Sequence, residues 1–367
     1  MLSCADLYKI SAHLAACLNK PELPFGGMNM IFAGDFAQLP PVIGGENSAL
    51  YSPIKGLFAS SKKHQEAALG KAIWHQVTTV VILHQNMCQK GQSDNDNKLY
   101  MALSNMCYKA CTSNDIALLS SHVCGSSTAA PDINSQQFRN VSIITGLNMH
   151  KDEFNRIGSL RFAQETNQEF VHLYSDDAMS ETASIVRSKN IKKNNSMSLT
   201  PQIQIKLWNS PPSINNKHIS GKLSIYKGLP VMIRLNSATE LGITKGQEGY
   251  VHSWVEGIGS HSQKILDTLF VKLSSPPETV HVPGLPDNVV PLIHTSSAIS
   301  CTLHNDTQIS VNRSQVEILL NFAMTDYCSQ GKTQPQNPVD LNNCRSHQSY
   351  YTVLSRSASH CMKNLIF

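Results

Sequence analysis

The sequence predicts an α/β protein that carries a smaller β-rich part within it. In the first half, short apolar strands alternate with amphipathic helices, a pattern typical of a parallel sheet covered by helices. After about residue 165, strand-like pieces are divided by Gly, Pro, Asn and Ser, which predicts a small β domain or barrel-like insertion. From about residue 309 the tail returns to the α/β pattern, with a helix at 346–356 and a last strand at 364–367.

Apolar spacing and breakers place each element of the first half. Leu7, Ile10, Leu14 and Leu18 recur at helical spacing and define the first helix. A short, continuous apolar run is typical of a strand buried on both faces of a parallel sheet. In chain order, the predicted elements are a helix at 1–18, a strand at 28–35, a helix at 62–75, a strand at 77–84, helices at 94–106 and 115–121, a strand at 141–146 and a helix at 149–166.

The β-rich part is predicted from four strand-like pieces and the loops between them. The pieces lie at 169–175, 229–235, 248–255 and 265–273, and the exposed loops at 209–222 and 274–288. Residues 227–251 read as a structural hairpin of this part. The densest basic segment, at 186–195, is interpreted as a solvated loop rather than as a nucleic-acid contact.

The composition indicates a packed globular protein. Of 367 residues, 41% are hydrophobic and 15% charged, and the net charge of +4 is compatible with a polyanionic partner. The sequence has no run of about 18 apolar residues, so no membrane span is predicted. Its start lacks the pattern of a signal peptide. The ten cysteines lack a framework spacing, which favours free thiols in a reducing compartment. Cys107, Cys111, His122 and Cys124 have spacings that could reach a zinc ion, but buried or incidental cysteines are favoured.

The stretch "GDFAQLPPV" is the first that suggests chemistry. Asp35 and Gln38 follow an apolar run, at the carboxyl end of a predicted strand, where α/β sheets bind ligands. Prolines stiffen the turn, and a carboxamide that both donates and accepts suits a residue that senses a phosphate or an attacking water. The plainer alternative is that Asp35 caps a helix.

Two stretches near the end of the chain also suggest chemistry. In "SQGKT" (329–333), small residues let backbone N–H groups approach an anion or a nucleic-acid backbone. Its Gly-Lys-Thr is not a P-loop, because Asp326 stands where the first glycine is required. In "YYTVLSRS", Arg356 ends a helix and could act as an arginine finger. The alternative interpretations are a simple turn for the first stretch and a surface ion pair for Arg356.

Taken in order, these stretches resemble the Pif (petite integration frequency) family of ATP-dependent DNA helicases, and most closely its Helitron-associated fungal branch. The stretches are "PFGGMNMIFAGDFAQLPPV", "LHQNMCQ", "ITKGQEG", "NFAMTDYCSQGKT" and "LNNCRSHQSYYTVLSRS", and they run through nearly all of the chain. The resemblance implies two RecA-like α/β domains with ATP between them and a small β-barrel-like insertion in the second. The implied boundaries are 1–130 for the rest of the first domain, 131–215 and 316–367 for the second, and 216–315 for the insertion.

The resemblance also implies roles for residues. Gln38 and Arg356 would be catalytic, as the sensor glutamine and the arginine finger. The implied ATP-binding residues are Asp35, Gln38, Gln330, Gly331 and Arg356, and the implied DNA-binding residues are Ser329, Thr333 and His347. The implied cofactors are ATP and Mg²⁺, and the implied partner is single-stranded or forked DNA, unwound 5′ to 3′ in the nucleus or mitochondrion.

Several positions depart from the family's pattern. Its phosphate-binding loop and its Asp-Glu pair for magnesium would precede Met1, so the resemblance implies an N-terminally truncated copy. Cys88, Cys107 and Gln334 stand where the family pattern has arginine. A thiol is neutral and too short to replace a guanidinium group, so we expect negligible ATPase from this chain alone. The alternative is a catalytically inactive, single-stranded-DNA-binding remnant of a mobile-element helicase.

Overall fold

The structure is a computed structural model, and it describes residues 2–53, 61–83, 93–125, 132, 135–179, 199–303, 308–358 and 364–366. Its helices are α1 (Cys4–Cys17), α2 (Lys62–Trp74), α3 (Asp94–Cys107), α4 (Ser113–Ser120), α5 (Asn148–Glu165), α6 (Pro201–Asn209), α7 (Asp326–Ser329) and α8 (His347–Leu354). Its strands are β1 (Ile143–Thr145), β2 (Val171–Tyr174), β3 (Asp176–Met179), β4 (Lys222–Ile225), β5 (Pro230–Ile233), β6 (Glu248–Ile258), β7 (Lys264–Leu273), β8 (Val289–Ile293), β9 (Thr295–Thr302), β10 (Gln308–Gln315), β11 (Ile318–Leu320), β12 (Ala323–Thr325), β13 (Asn337–Asp340) and β14 (Asn364–Ile366). None of the described helices is both long and apolar enough to cross a membrane.

The chain divides into two compact units, and the first is formed by Met1–Ile133 together with Ser329–Phe367. In this unit α1 and α2 pack closely: a Cβ built on Gly70 would lie 1.8 Å from the carbonyl oxygen of Cys4. Only glycine allows that approach. Cys4, Leu7, Phe25 and Leu50 form the buried cluster beside these helices. Near the end of the chain β13 pairs in parallel with β14.

The strands predicted at 28–35 and 77–84 are not formed in the described part of the chain. Neither segment has ladder hydrogen bonds, and His84 lies outside the described residues. Side chains expected in a core are exposed: Ile31 is 95% exposed and Leu83 is 88% exposed. An apolar run satisfies the pattern of a buried strand, but a parallel strand also needs neighbouring backbone with which to pair. No described strand offers that pairing.

The second unit, Asn134–Cys328, contains most of the β structure. In one part β1 pairs in parallel with β12, and α5 packs beside them. A seven-stranded sheet has the order β11-β5-β6-β7-β2-β4, with β8 paired to β7, and β3, β10 and β9 form a separate antiparallel sheet. The predicted hairpin is confirmed by the antiparallel pairing of β5 with β6. The predicted return to α/β from about residue 309 is wrong at its start, because β10 pairs antiparallel with β9 and β3.

A buried ion pair joins distant segments of the second unit. The Arg313 guanidinium donates to both carboxylate oxygens of Asp177, at 2.9 and 2.8 Å, and the two side chains are 2% and 0% exposed. Gln204 donates to the same carboxylate at 3.1 Å, and Arg313 also donates to the carbonyl oxygen of Ile219 at 2.9 Å. Because both side chains are buried, removal of one partner would leave a buried charge unpaired.

Candidate nucleotide and DNA site

The predicted sensor glutamine sits in a tight turn of the first unit. The backbone N–H of Gln38 donates to the carbonyl oxygen of Asp35 at 3.2 Å, and that of Ala37 donates to the Asp35 carboxylate at 2.9 Å. The Gln38 carboxamide donates to the same carboxylate at 3.2 Å. Leu39 and the two prolines after it are buried, which fixes the far side of the turn. Asp35 therefore orders this turn with its side chain rather than capping a helix.

Tyr351 of α8 lies close to both the Asp35 turn and the end of α3. Its hydroxyl interacts with the Asp35 carboxylate and with the thiol of Cys107. Burial first, and then the Asp35 charge, raises the pKa of Tyr351 far above its usual value and also raises the pKa of the Cys107 thiol. Both groups are consequently neutral near pH 7. The sequence analysis did not identify Tyr351. Its only sequence feature that indicates a role is its position one helical turn after His347, on the same face of the helix.

The first turn of α8 makes two more polar contacts within the unit. The Nε2 atom of His347 lies 2.6 Å from the carbonyl oxygen of Met106, at the end of α3. The Gln348 carboxamide donates to the Glu46 carboxylate at 2.9 Å. His347, which the resemblance assigns to DNA binding, thus holds α8 against α3 in this structure.

Arg356 lies just after α8 and is only 7% exposed. Its guanidinium group donates to the carbonyl oxygens of Thr352 at 2.8 Å and Lys332 at 3.2 Å, and to the Ser355 hydroxyl at 2.8 Å. The backbone adds a further link, because the N–H of Gln334 donates to the carbonyl oxygen of Arg356 at 2.8 Å. The residue therefore fastens the 329–334 turn to the end of α8.

The 329–334 turn itself presents some of its predicted residues and buries others. Ser329 is fully buried, Gln330 is half-buried, and Gly331 and Thr333 are exposed. The N–H of Lys332 donates to the carbonyl oxygen of Ser329 at 3.0 Å, which closes the turn. Gly331 has a φ of 79° and open space where a Cβ would be, so a ligand can approach its backbone. In this conformation Gly331 and Thr333 can contact a ligand directly, and the side chain of Ser329 cannot.

Within the described ranges, no three His, Cys, Asp or Glu side chains come together to hold a metal ion. The four residues considered for zinc are among those described. Cys107, Cys111 and Cys124 are free thiols, and the Nδ1 atom of His122 lies 2.9 Å from the carbonyl oxygen of Leu118. Cys88 and the basic segment at 186–195 lie outside the described residues.

Comparison with known proteins gives a family-model match over the first part of the chain and a similar fold over the whole. Residues 4–110 match the family model of PIF1-like helicases. No curated protein sequence matches the chain. Among solved structures, Bacteroides Pif1 bound to ssDNA is similar with a TM-score of 0.62 and 16% identity, over 100% of this chain and 68% of that one. Candida albicans Pif1 helicase has a TM-score of 0.60 and 17% identity, over 100% and 69%.

A third similar structure is that of Bacteroides Pif1 helicase in complex with ADP-AlF3 and ssDNA. Its TM-score is 0.60 and its identity 16%, over 100% of this chain and 68% of that one. At such identities the likeness shows the fold, which is the mixed α/β, RecA-like fold of these helicases. The expected fold class is therefore confirmed.

Proposed function

We propose that this chain, PIF1-like in sequence over residues 4–110 and Pif1-like in fold throughout, is the single-stranded-DNA-binding and nucleotide-sensing part of an ATP-dependent DNA helicase. The observation that carries the proposal is the combination of that family segment with a fold shared with Pif1 bound to ssDNA. The direction is 5′ to 3′, and the substrates are single-stranded and forked DNA. These finer assignments rest on the resemblance of the motifs.

The geometry of the first unit supports roles for Gln38 and Arg356. The Asp35–Gln38 turn and the 329–334 turn both connect to α8, one through Tyr351 and the other through Arg356. Both turns therefore contact the same short helix. In the proposed function Gln38 senses nucleotide, Gln330 and Gly331 relay its state, and Thr333 lies at the DNA.

ATP hydrolysis needs a phosphate-binding loop and bound Mg²⁺ in addition to residues such as Gln38 and Arg356. The 367 residues contain no G-x-x-x-x-G-K-[ST] sequence, and no described group of side chains can hold a metal. Gln38 and Arg356 are hydrogen-bonded within the protein. ATP hydrolysis thus requires groups other than these, and we expect phosphate release from the chain alone to equal the blank.

The proposal is tested by measuring the affinity of the purified chain for labelled single-stranded DNA and for blunt duplex of the same length. Preferential binding of the single strand is expected, since the fold matches that of ssDNA-bound Pif1. Equal affinity for the two, or no binding at low salt, would overturn it.

A second candidate function is a DNA-binding protein that does not hydrolyse ATP in any context. The hydrogen bonds that hold the Arg356 guanidinium group within the protein favour it, because they turn the predicted arginine finger towards its own chain. Phosphate release above the blank in the presence of ssDNA, abolished by Arg356→Ala, would exclude this candidate. Unchanged ssDNA affinity on addition of ATP would favour it.

A further inference from the structure

One face of β2 in the second unit carries a row of rings. Phe170, His172 and Tyr174 alternate along the chain and therefore point to the same side of the strand. On the neighbouring strand β4, Ser224 is opposite His172 and Lys222 is opposite Tyr174. The face thus combines flat rings with a hydroxyl and an ammonium group.

The rings are ordered by contacts with one another. Phe170 and His172 are nearly parallel, at 8°, with their centroids 6.1 Å apart. Trp208 of α6 lies 4.9 Å from Tyr174, and its indole N–H donates to the carbonyl oxygen of Ser175 at 3.0 Å. His172 is exposed, and its Nδ1 lies 2.8 Å from the Ser224 hydroxyl. The rings are consequently held in place before any ligand arrives.

This face forms one wall of a cavity of about 780 Å³. Its volume is within the usual range for small-ligand sites, about 300–1,000 Å³. Phe170, His172, Trp208 and Lys222 line the cavity, and residues of α5 line it as well. The mixture of flat apolar surface and polar edges suits a planar heterocycle with hydrogen-bonding edges.

The charges at the cavity favour an anionic ligand at one position. Of its two lining carboxylates, Asp152 is paired with Lys151 at 2.9 Å, and Glu153 is paired with Arg156 at 2.7 Å. Lys222 has an amide partner, the Asn209 side-chain oxygen at 3.4 Å, and no ion pair among the described residues. Its ammonium group can therefore bind a phosphate without breaking an ion pair.

We propose that this cavity binds a base of single-stranded DNA, with the base stacked on the His172 and Trp208 rings and its phosphate at Lys222. Stacking on aromatic rings tolerates any base sequence, which suits a protein that moves along a strand. The inference rests on the proposed function, because it names a contact surface in the second unit for the same ligand.

The test compares ring-removing variants with ring-retaining ones. Anisotropy of a short labelled oligothymidylate is measured for the full chain, for Trp208→Leu and for His172→Ala. Loss of a stacking ring should weaken binding about 5- to 150-fold. Trp208→Phe keeps a ring, and Tyr250→Ala removes an exposed ring of β6 that does not line the cavity, so both should bind like the unaltered chain.

A photocrosslink locates the base directly. An oligonucleotide with 5-iododeoxyuridine should crosslink to the peptide that contains residues 170–174 or to Trp208. Crosslinks found only elsewhere would overturn the inference, as would unchanged affinity in both His172→Ala and Trp208→Leu while the unaltered chain binds ssDNA. With either of these outcomes the proposed function stands, because the unaltered chain still binds ssDNA.

If the unaltered chain does not bind ssDNA, both the proposed function and this inference are wrong. A thermal melt reports folding, and if Trp208→Leu unfolds, the exposed His172 decides.

Discussion

Arg356 should stabilise the first unit in addition to any role at a nucleotide. Its guanidinium group makes three hydrogen bonds at 2.8, 3.2 and 2.8 Å while 7% exposed. A hydrogen bond to a charged group contributes about 1.5–3 kcal/mol, and bonds that share one side chain do not add fully. We therefore expect Arg356→Ala to lower the free energy of unfolding by about 3–4 kcal/mol.

Thermal and urea unfolding measure that loss. For a unit of this size, 1 kcal/mol corresponds to roughly 2–4 °C, so the Tm should fall by about 6–16 °C. Arg345→Ala is the matched control, because Arg345 is exposed and near α8. Arg356→Lys keeps the charge but loses the planar guanidinium group, so its Tm should lie between those of Arg356→Ala and Arg345→Ala. A Tm for Arg356→Ala within about 2 °C of the unaltered chain would refute the structural role.

Three further predictions follow from buried contacts. Gly70→Ala should destabilise the packing of α1 on α2 by about 1–3 kcal/mol or more, measured by urea unfolding, because its Cβ would overlap Cys4. Asp177→Ala should cost about 3–5 kcal/mol in the same assay, since it leaves Arg313 buried and unpaired, and a loss below about 1 kcal/mol would contradict the account. Burial raises the pKa of Tyr226 to about 12. Its contribution to stability should be complete below about pH 10, the usual tyrosine pKa, and lost as the pH rises towards 12. Tyr226→Phe should remove that decline.

The helices could be predicted from the sequence because their signals are local. Apolar spacing placed α1, α2, α3 and α5 to within two or three residues at each end. The start of α3 is marked by a capping box, in which Ser93 and Asp96 bond each other's backbone N–H. The β5–β6 hairpin was also predictable, because its turn residues lie between two strand-like runs.

The sequence predicted strands at 28–35 and 77–84 that the structure does not form in its described part. Strand formation depends on pairing partners, which no local pattern reveals. The same limit applies to the candidate site. The Asp35–Gln38 turn follows from its prolines, but the contact of Asp35 with Tyr351 joins residues that are far apart in the chain. The burial of Arg356 is likewise set by tertiary packing, and its position after a helix predicted only that it could project outward.

The central proposal is that this chain binds single-stranded DNA. The most direct test is the affinity of the full chain for a single strand at increasing salt concentration, with blunt duplex measured alongside. The account predicts tighter binding of the single strand, and a logarithm of affinity that falls linearly with the logarithm of salt as phosphate contacts are lost. An affinity that does not depend on salt, or that is equal for duplex, would contradict it.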